Sequence, residues 1–298
     1  MHFVKHLSSL WQRLLFAGCL LPALALAQAD EHDHLLWQIT GKGLSQPSYL
    51  YGTIHIIGVD DFRMTEDMQA AIGQSDVLAL EIDMSNMMAV SMAMMQHGKM
   101  ADGQTLEDLL SPEDYELLMR TMFDSLDMNE AMFTMTQGLL PMLQISSFYP
   151  KLLDSEMKSY EMELIALAKR DSLEIEGLER MEDQLAMLDD IPYAEQAEAL
   201  MEFVKDYESQ KERIDRMIEL YVAEDLDGLY QYIAESEDMA EYQGALLDKR
   251  NQNWIPVIEE LIQAQPAFIA VGAGHLYGEQ GVIELLRQAG YTVAPAME

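Results

Sequence analysis

The sequence predicts an α/β fold with a central mixed, partly parallel β-sheet, flanked by helices and carrying large helical insertions that form a cap. Three observations support this fold class. Short apolar or β-branched runs typical of strands occur at the beginning, middle and end of the chain. Long segments with the apolar spacing of helices separate these runs. Strands joined by helices need crossover connections, which produce parallel pairing.

Local patterns predict each element in chain order. Strands are expected at 35–40, 48–55, 76–83, 172–178, 267–272 and 291–294. The turn residues of 41–47 indicate that the first two strands form a β-hairpin. Helices are expected at 64–73, in two blocks at 85–170 and 181–263, and at 279–288. Within the first block, Ser111-Pro112 indicates a capped helix start with proline at the first helical position.

Residues 1–27 have the pattern of a secretory signal peptide. Lys5 and Arg13 form a basic start, and the following apolar run ends in the small-residue pattern Ala25-Leu26-Ala27. This run has about 14 residues, fewer than the roughly 20 that cross a bilayer as a helix. We therefore expect cleavage after Ala27 and an exported, periplasmic or secreted protein without a membrane span.

Lipid attachment at Cys19 is the alternative fate of this segment, because Phe16-Ala17-Gly18-Cys19 resembles a lipobox. Only about five apolar residues precede Cys19, which is too few for a normal signal, so anchoring is less favoured. Cys19 is also the single cysteine, and cleavage after Ala27 leaves a chain without disulfides. We expect 28–298 to form one domain large enough to fold without them, with the helical cap at about 85–170 and 181–263.

The chain is strongly acidic, with 18 Lys and Arg against 52 Asp and Glu and a formal net charge of −34. Such a surface repels phosphate backbones and anionic lipids. The charge therefore excludes nucleic-acid binding and docking to membranes through basic patches. Solubility or adaptation to salt is a sufficient reason for the acidic composition.

Polar side chains follow three of the predicted strands. His55 closes the second strand, Glu81 ends the next one, and His275 comes directly after the last buried strand. Because ligands collect at the carboxyl ends of strands in α/β sheets, we expect these three side chains to converge. Each histidine stands three residues after a glycine, Gly52 or Gly272, which permits a sharp turn or a close approach to a ligand.

Two imidazoles and one carboxylate form a chemically sensible set. They suit Zn²⁺, Mn²⁺, Co²⁺ or Fe²⁺, and three protein ligands leave a position at which water is activated. The same set works without metal if one histidine is a general base and Glu81 orients it or receives the proton. In the simplest alternative both histidines satisfy hydrogen bonds at strand ends, and Glu81 pairs with an arginine.

Three segments resemble the TraB/GumN family, which includes relatives of the TIKI proteins. They are LYGTIH at 50–55, SDVLALE at 75–81 and VGAGHLYG at 271–278. In that family two Gly-x-x-His motifs bracket the chain and a glutamate follows the next strand. The resemblance covers nearly all of 35–296. It includes Gly177-Leu178-Glu179 with Gln184, and Arg250-Asn251 at the start of a late helix.

The resemblance implies a fold related to erythromycin-esterase-like proteins and, by analogy with TIKI-like members, metal-dependent peptide-bond hydrolysis with Mn²⁺ or Co²⁺. Esterase-like relatives are thought to use a histidine base without metal. The expected function is therefore an exported, metallopeptidase-like hydrolase acting on a peptide or small-molecule substrate, with His55, Glu81 and His275 as catalytic and metal-binding residues. A metal-independent esterase-like hydrolase and a non-catalytic module that binds or sequesters peptides are the alternatives.

Five further residues are candidates for substrate binding: Gly52, Gly272, Glu179, Arg250 and Asn251. Arg250 would hold a substrate carboxylate or oxyanion, and Glu179 would add a carboxylate. An ordinary ion pair is the alternative for these two residues. Asp83 is a reserve ligand, because it would share a face with Glu81 if the strand continued.

Methionine is unusually common, with 24 residues in the chain and the densest cluster between 84 and 97. Met84, Met88, Met92 and Met95 have helical spacing and form one stripe. Burial of this stripe against the sheet, or an adaptable groove for peptides, is the favoured interpretation. A Cu(I) site is the alternative, because thioethers are soft ligands.

Overall fold

The structure, a computed structural model, describes residues 34–234 and 244–296. The predicted signal peptide and the alternative at Cys19 lie outside the described residues. Within the described ranges, no helix combines the length and the apolar character that a membrane crossing requires.

Strands of the described ranges form two sheets. Their bounds are β1 Leu36–Thr40, β2 Ser48–Thr53, β3 Ile57–Gly58, β4 Val77–Leu80, β5 Met157–Lys158, β6 Glu174–Gly177, β7 Ala267–Gly272 and β8 Thr292–Pro295. Six of them form the main sheet in the order β6-β4-β7-β2-β1-β8. The short strands β3 and β5 pair separately, and the sequence did not predict them.

The main sheet is parallel on one side and antiparallel on the other. Strands β6, β4, β7 and β2 run parallel to one another, while β1 pairs antiparallel with both β2 and β8. This arrangement confirms the predicted mixed, partly parallel sheet and the β1–β2 hairpin. It also places the carboxyl ends of four neighbouring strands at one edge of the sheet.

Helices fill the connections between strands. Their bounds are α1 Glu66–Gly73, α2 Met87–His97, α3 Leu106–Leu109, α4 Pro112–Leu126, α5 Glu130–Thr136, α6 Pro141–Ile145, α7 Tyr149–Leu152, α8 Tyr160–Asp171, α9 Met181–Asp189, α10 Tyr193–Lys205, α11 Tyr207–Val222, α12 Leu226–Ala234, α13 Lys249–Ala264 and α14 Val282–Gln288. A π-helical turn, Gly244–Asp248, leads into α13. The predicted start of α4 is confirmed, because the Ser111 hydroxyl accepts a hydrogen bond from the Asp114 N–H and Pro112 opens the helix.

The centre of the main sheet is covered on both faces. Successive side chains of a strand point to opposite sides, yet every residue of β4 and nearly every residue of β7 is buried. The large side chains of Trp254, Tyr160 and Phe148 are fully buried as well. This packing makes the sheet a rigid platform for side chains that project from its edge.

Strands β2 and β4 end two and three residues earlier than predicted, and this changes the position of Asp83. Strand β4 ends at Leu80, and the Asp83 carboxylate then accepts a hydrogen bond from the Ser85 N–H at 2.8 Å. The chain therefore turns, and the extended geometry that would place Asp83 beside Glu81 is absent. Strand β2 likewise ends at Thr53, so His55 lies in the following loop.

Three of the four methionines of the predicted stripe lie in helix α2, but their predicted burial against the sheet is wrong; Met84 precedes the helix and is partly buried against the core. Met88, Met92 and Met95 are exposed on α2, whose one buried residue is Ala93. Helical spacing identifies residues that share a face without identifying which face packs. In α2 the small residue Ala93 faces inward, and the thioethers of Met88, Met92 and Met95 face outward.

Candidate functional site

Each of the four parallel strands delivers one polar side chain to the same edge of the sheet. Glu81 directly follows β4, and Glu179 follows β6 by two residues. His55 follows β2 by two residues, and His275 closes a 3-10 turn, Ala273–His275, directly after β7. The backbone N–H of Glu179 donates to the Glu81 carbonyl at 3.0 Å, which joins two of these strand ends.

Gly272, the last residue of β7, marks the point where three of these side chains meet. A Cβ added to Gly272 would lie 3.3 Å from Oε1 of Glu81, 3.6 Å from Cδ2 of His275 and 3.7 Å from Nε2 of His55. The φ angle of Gly272 is −53°, which any residue adopts. The glycine is therefore needed for space, because a larger side chain would fill the volume shared by both imidazoles and the carboxylate.

His275 is buried and neutral. Its Nδ1 lies 2.6 Å from the amide oxygen of Asn251, and its Nε2 lies 3.2 Å from a guanidinium nitrogen of Arg250. Burial and the nearby charges of Arg250 and His55 lower the pKa of His275 to about 4, although Glu81 acts in the opposite direction. Since guanidinium only donates, Nε2 carries the lone pair and Nδ1 carries the proton.

Glu81 is held in the ionised form. Burial raises its pKa, but His275, His55 and Arg250, together with the Gly272 N–H, lower it to about 2. Gly272 donates to Oε1 at 2.7 Å, and Arg250 donates to Oε2 at 2.5 Å. Because His275 is neutral at pH 7, we attribute the stabilisation of this carboxylate mainly to Arg250, the Gly272 N–H and His55.

Arg250 lies between the carboxylates of Glu81 and Glu179. Its Nε and Nη2 donate to Oε1 of Glu179 at 2.9 and 2.6 Å, and Nη2 also reaches Glu81. The ring of Trp254 lies 4.7 Å from the guanidinium carbon. Burial lowers the pKa of Arg250 and the two carboxylates raise it, with a net rise. Arg250 and Glu179 thus form the ion pair that the sequence left as the alternative to substrate binding.

His55 is the open member of the cluster, with 67% of its side chain exposed. Its Nδ1 lies 2.9 Å from Oε1 of Glu161, at the start of α8. Partial desolvation of the ring lowers the pKa of His55, but the hydrogen bond with Glu161 and the charges of Glu81 and Glu161 raise it to about 9. The ring is therefore protonated at neutral pH and presents Nε2 towards Gly272.

Glu161 is the site residue that sequence reasoning missed. Its buried carboxylate accepts hydrogen bonds from the hydroxyls of Thr53 at 2.9 Å and Ser159 at 2.6 Å, in addition to its contact with His55. Burial raises the pKa of Glu161, but His55 and Ser159 produce a net decrease. An acidic residue in the first turn of a helix is common for electrostatic reasons, so its sequence carried no signal of a link to His55.

Two predicted substrate-binding residues are engaged in supporting the site. A Cβ on Gly52 would lie 2.7 Å from Leu276 Cδ1, so this glycine lets β2 pack closely under the turn that carries His275. The side-chain amide of Asn251 donates to the carbonyls of His275 and Gln280 at 3.3 and 2.8 Å. These contacts give Gly52 a packing role and give Asn251 control of the orientation of His275.

The residues around Gly272 fit a divalent metal by their type and their outer contacts. Each imidazole has its Nδ1 held by an oxygen atom, of Glu161 or of Asn251, as is common for metal-bound histidines. Arg250 nevertheless donates to both His275 and Glu81. Across residues 34–234 and 244–296, no three His, Cys, Asp or Glu side chains stand in a ready metal-binding arrangement. Arg250 is therefore the cation with which a metal would compete.

A separate groove of about 570 Å³ lies away from this cluster. Its walls combine carboxylates with an apolar floor formed by Leu153, Ile218 and Val222. None of the side chains that meet over Gly272 lines it, so the chemistry of the cluster does not extend there.

Comparison with known proteins identifies the family of the chain. The model of the TraB/PrgY/gumN family matches residues 35–295. The chain is similar to two curated zebrafish (Danio rerio) proteins. Metalloprotease TIKI1 is 24% identical over 88% of this chain and 63% of its own length, and Metalloprotease TIKI2 is 23% identical over 90% and 62%.

The chain thus spans about three fifths of the length of these relatives. No solved structure gives a significant match. Because the family model covers nearly all of the described chain, this protein belongs to the TraB/PrgY/gumN family.

Proposed function

We propose that this protein is a peptidase-like hydrolase whose reactive centre is the cluster of His55, Glu81 and His275 over Gly272. One observation carries the proposal. Atoms of both imidazoles and of the carboxylate lie within 3.3–3.7 Å of the position that a Cβ on Gly272 would occupy. The names of the relatives add the reaction class, since both are called metalloproteases. Peptide-bond hydrolysis is therefore the reaction to test first.

In this proposal His55, Glu81 and His275 would hold a divalent ion such as Mn²⁺, Co²⁺ or Zn²⁺, and binding would release the proton that His55 carries at neutral pH. The ion would polarise the substrate carbonyl and acidify a water molecule. Asn251 keeps the proton of His275 on Nδ1, so Nε2 carries a lone pair that a metal would take over from Arg250. Arg250 keeps Glu81 ionised, and Glu161 fixes the ring of His55. Each donor is thus oriented by an outer residue, on which metal affinity depends.

A metal-independent hydrolase is the second candidate, and the contacts of Arg250 favour it. Its guanidinium donates to Nε2 of His275 and to Oε2 of Glu81, both of which a metal would need. In this version the exposed His55 exchanges protons with the substrate through Nε2, and Glu161 stabilises the protonated ring. The fraction of His55 that is neutral would accept the proton of the attacking water and return it to the leaving amine, so this version predicts cleavage that rises as the pH approaches the His55 pKa of about 9.

Peptide cleavage after metal removal and return tests both versions. The protein is stripped with a chelator, resupplied with Mn²⁺, Co²⁺ or Zn²⁺, and incubated with a defined peptide mixture that is analysed by mass spectrometry. Cleavage restored by metal and lost in Glu81→Gln and His55→Ala supports the metal version. Cleavage that survives the chelator and is lost in His55→Ala supports the metal-independent version. His97→Ala, at an exposed histidine of α2, is the matched control.

A third outcome would overturn the hydrolase. If peptides are retained intact, and equally by the wild type and His55→Ala, the protein is a binding or sequestering module. Stoichiometric capture without products separates this result from slow catalysis, because a catalyst releases products in excess of its own concentration over time.

We further propose that the protein is exported and acts on substrates outside the cytoplasm. The proposal rests on the basic start, the apolar run and the small-residue ending of residues 1–27. Mass spectrometry of the mature protein from the periplasmic and secreted fractions should show an amino terminus at Gln28. Full-length protein confined to the cytoplasm would refute it, and a lipid-modified terminus at Cys19 would replace it with anchoring.

A further inference from the structure

We propose that the exposed face of α2 is a Cu(I) site formed by the thioethers of Met88, Met92 and Met95. The site is distinct from the hydrolase cluster and does not depend on the proposed function. It uses soft, neutral sulfur ligands, whereas the cluster over Gly272 offers imidazole and carboxylate.

Helix geometry places these three methionines together on the solvent side. At about 100° per residue, Met88, Met92 and Met95 fall within an arc of about 60°. The half-buried Val90 and the buried Ala93 lie on the opposite side of the helix. The exposed fractions of the three methionines are 75%, 53% and 69%. Packing against the protein therefore does not account for their presence.

The spacing allows their sulfur atoms to meet. Met92 is four residues after Met88 and three residues before Met95, and such neighbours on a helix have Cβ atoms about 5–6 Å apart. Methionine is unbranched and has three rotatable side-chain bonds, which are unhindered at an exposed position. Met92 lies between the other two, so one ion can bind all three thioethers.

The choice of methionine points to sulfur chemistry rather than to general apolar contact. Among the described residues, ten large apolar side chains are classed as exposed, and eight of them are methionine; the remaining two are Val59 and Val222. Leucine, isoleucine or phenylalanine would serve an apolar docking surface as well, yet none within residues 34–234 and 244–296 is exposed to that degree. The property shared by eight of these ten side chains is therefore the thioether.

Charge and ligand type select the ion. Residues 87–96 carry no charged side chain, so the donors on this face are neutral. Mg²⁺, Ca²⁺ and Mn²⁺ prefer oxygen ligands, while thioethers select Cu(I). The net charge of −34 on the whole chain attracts cations to its surface. A monovalent soft cation is the ion that fits this combination.

The test compares three full-length proteins: the wild type, the triple variant M88L/M92L/M95L, and the control M132L/M135L, which replaces two exposed methionines of α5. Leucine nearly preserves volume and keeps each face apolar, so folding is expected to be unchanged by circular dichroism. Cu(I) affinity is measured without oxygen by competition with bicinchoninate. We expect one Cu(I) per chain, about 100-fold weaker binding in the triple variant, and no change in the control.

Three results would overturn the proposal. The first is a wild type that takes no copper from the competitor, and the second is a triple variant that binds copper as tightly as the wild type. The third is a nitrogen-dominated ligand shell in the X-ray absorption of the Cu(I) complex, which would assign the ion to histidines. The same experiment separates the Cu(I) site from an apolar surface for peptides. If the face bound peptides instead, the wild type would bind no copper and peptide capture would survive the leucine substitutions.

Discussion

Glu161 accepts a hydrogen bond from Nδ1 of His55 at 2.9 Å, although 106 residues separate the two side chains. The carboxylate is itself fixed by the hydroxyls of Thr53 and Ser159. The orientation of the most exposed imidazole of the site therefore depends on the start of α8. His55 supplies the reactive nitrogen, and Glu161 is its positioning residue.

Replacing Glu161 by glutamine should lower the pKa of His55. The wild-type value is about 9, because the Glu161 hydrogen bond and the charges of Glu161 and Glu81 stabilise the protonated ring. Glutamine keeps the shape but removes the charge, so we expect the titration of His55 to move towards the ordinary value of 6.5. NMR titration of the imidazole measures this shift. The control is Glu163→Gln on the same helix, which pairs with Lys158; an unchanged His55 titration in Glu161→Gln would refute the role.

Replacing Gly272 by valine should block the site without unfolding the protein. The added Cβ would approach Oε1 of Glu81 to 3.3 Å, and its methyl groups would enter the space shared by His55 and His275. We expect at least a tenfold loss of metal affinity or cleavage, with a cooperative thermal transition retained. In the control Gly73→Val, no atom lies within 4 Å of the added Cβ. Equal activity in the two variants would show that the volume over Gly272 is not used.

Replacing Arg250 by methionine should strongly destabilise the fold. Its guanidinium is buried against Glu81 and Glu179, and its loss leaves two buried carboxylates without their cation. Breaking such a pair costs about 3–5 kcal/mol in the free energy of unfolding. Arg216→Met removes an exposed pair with Glu219 and should cost less than about 1 kcal/mol. Urea unfolding measures the free energy of unfolding of both variants. A similar loss of this free energy in the two variants would contradict a buried ionic centre.

Glu81 should make the protein sensitive to acid. Its pKa is about 2 when folded and near the ordinary 4.5 when unfolded, so its stabilising contribution is complete above about pH 4.5 and is lost as the pH falls towards 2. The shift corresponds to at most about 3 kcal/mol. The difference in unfolding free energy between wild type and Glu81→Gln should therefore shrink with acidification. Glu198→Gln, an exposed control on α10, should follow the wild-type curve of unfolding free energy against pH. A Glu81→Gln curve that also runs parallel to the wild-type curve would contradict the lowered pKa of Glu81.

The sequence was informative where chemistry coincides with strand ends. Parallel strands place their carboxyl ends at one edge, so residues directly after an apolar run become spatial neighbours without any motif linking them. His55, Glu81 and His275 follow this rule, and the structure places them around Gly272. The buried strand at 267–272 was predicted with the bounds that the structure gives it.

The parts that escaped prediction depend on tertiary contacts. Glu161 reaches the site through helix packing, which leaves no periodic trace in the sequence. The stripe of Met88, Met92 and Met95 has correct helical spacing, but spacing does not say which side faces the core, and Ala93 faces inward instead. Strands β3 and β5 have two residues each, too short for any pattern.

Metal analysis of the purified protein beside its His55→Ala and His275→Ala variants tests the central claim most directly. Each protein is treated with a chelator, saturated with Mn²⁺, Co²⁺ or Zn²⁺ in turn, dialysed and analysed for bound ions, with His97→Ala as control. We expect about one ion per chain in the wild type and the control, and at least a tenfold loss in both other variants, because each removes one of three ligands. Equal metal content in all four proteins, or none in the wild type at saturating metal, would contradict a shared His55–Glu81–His275 metal centre.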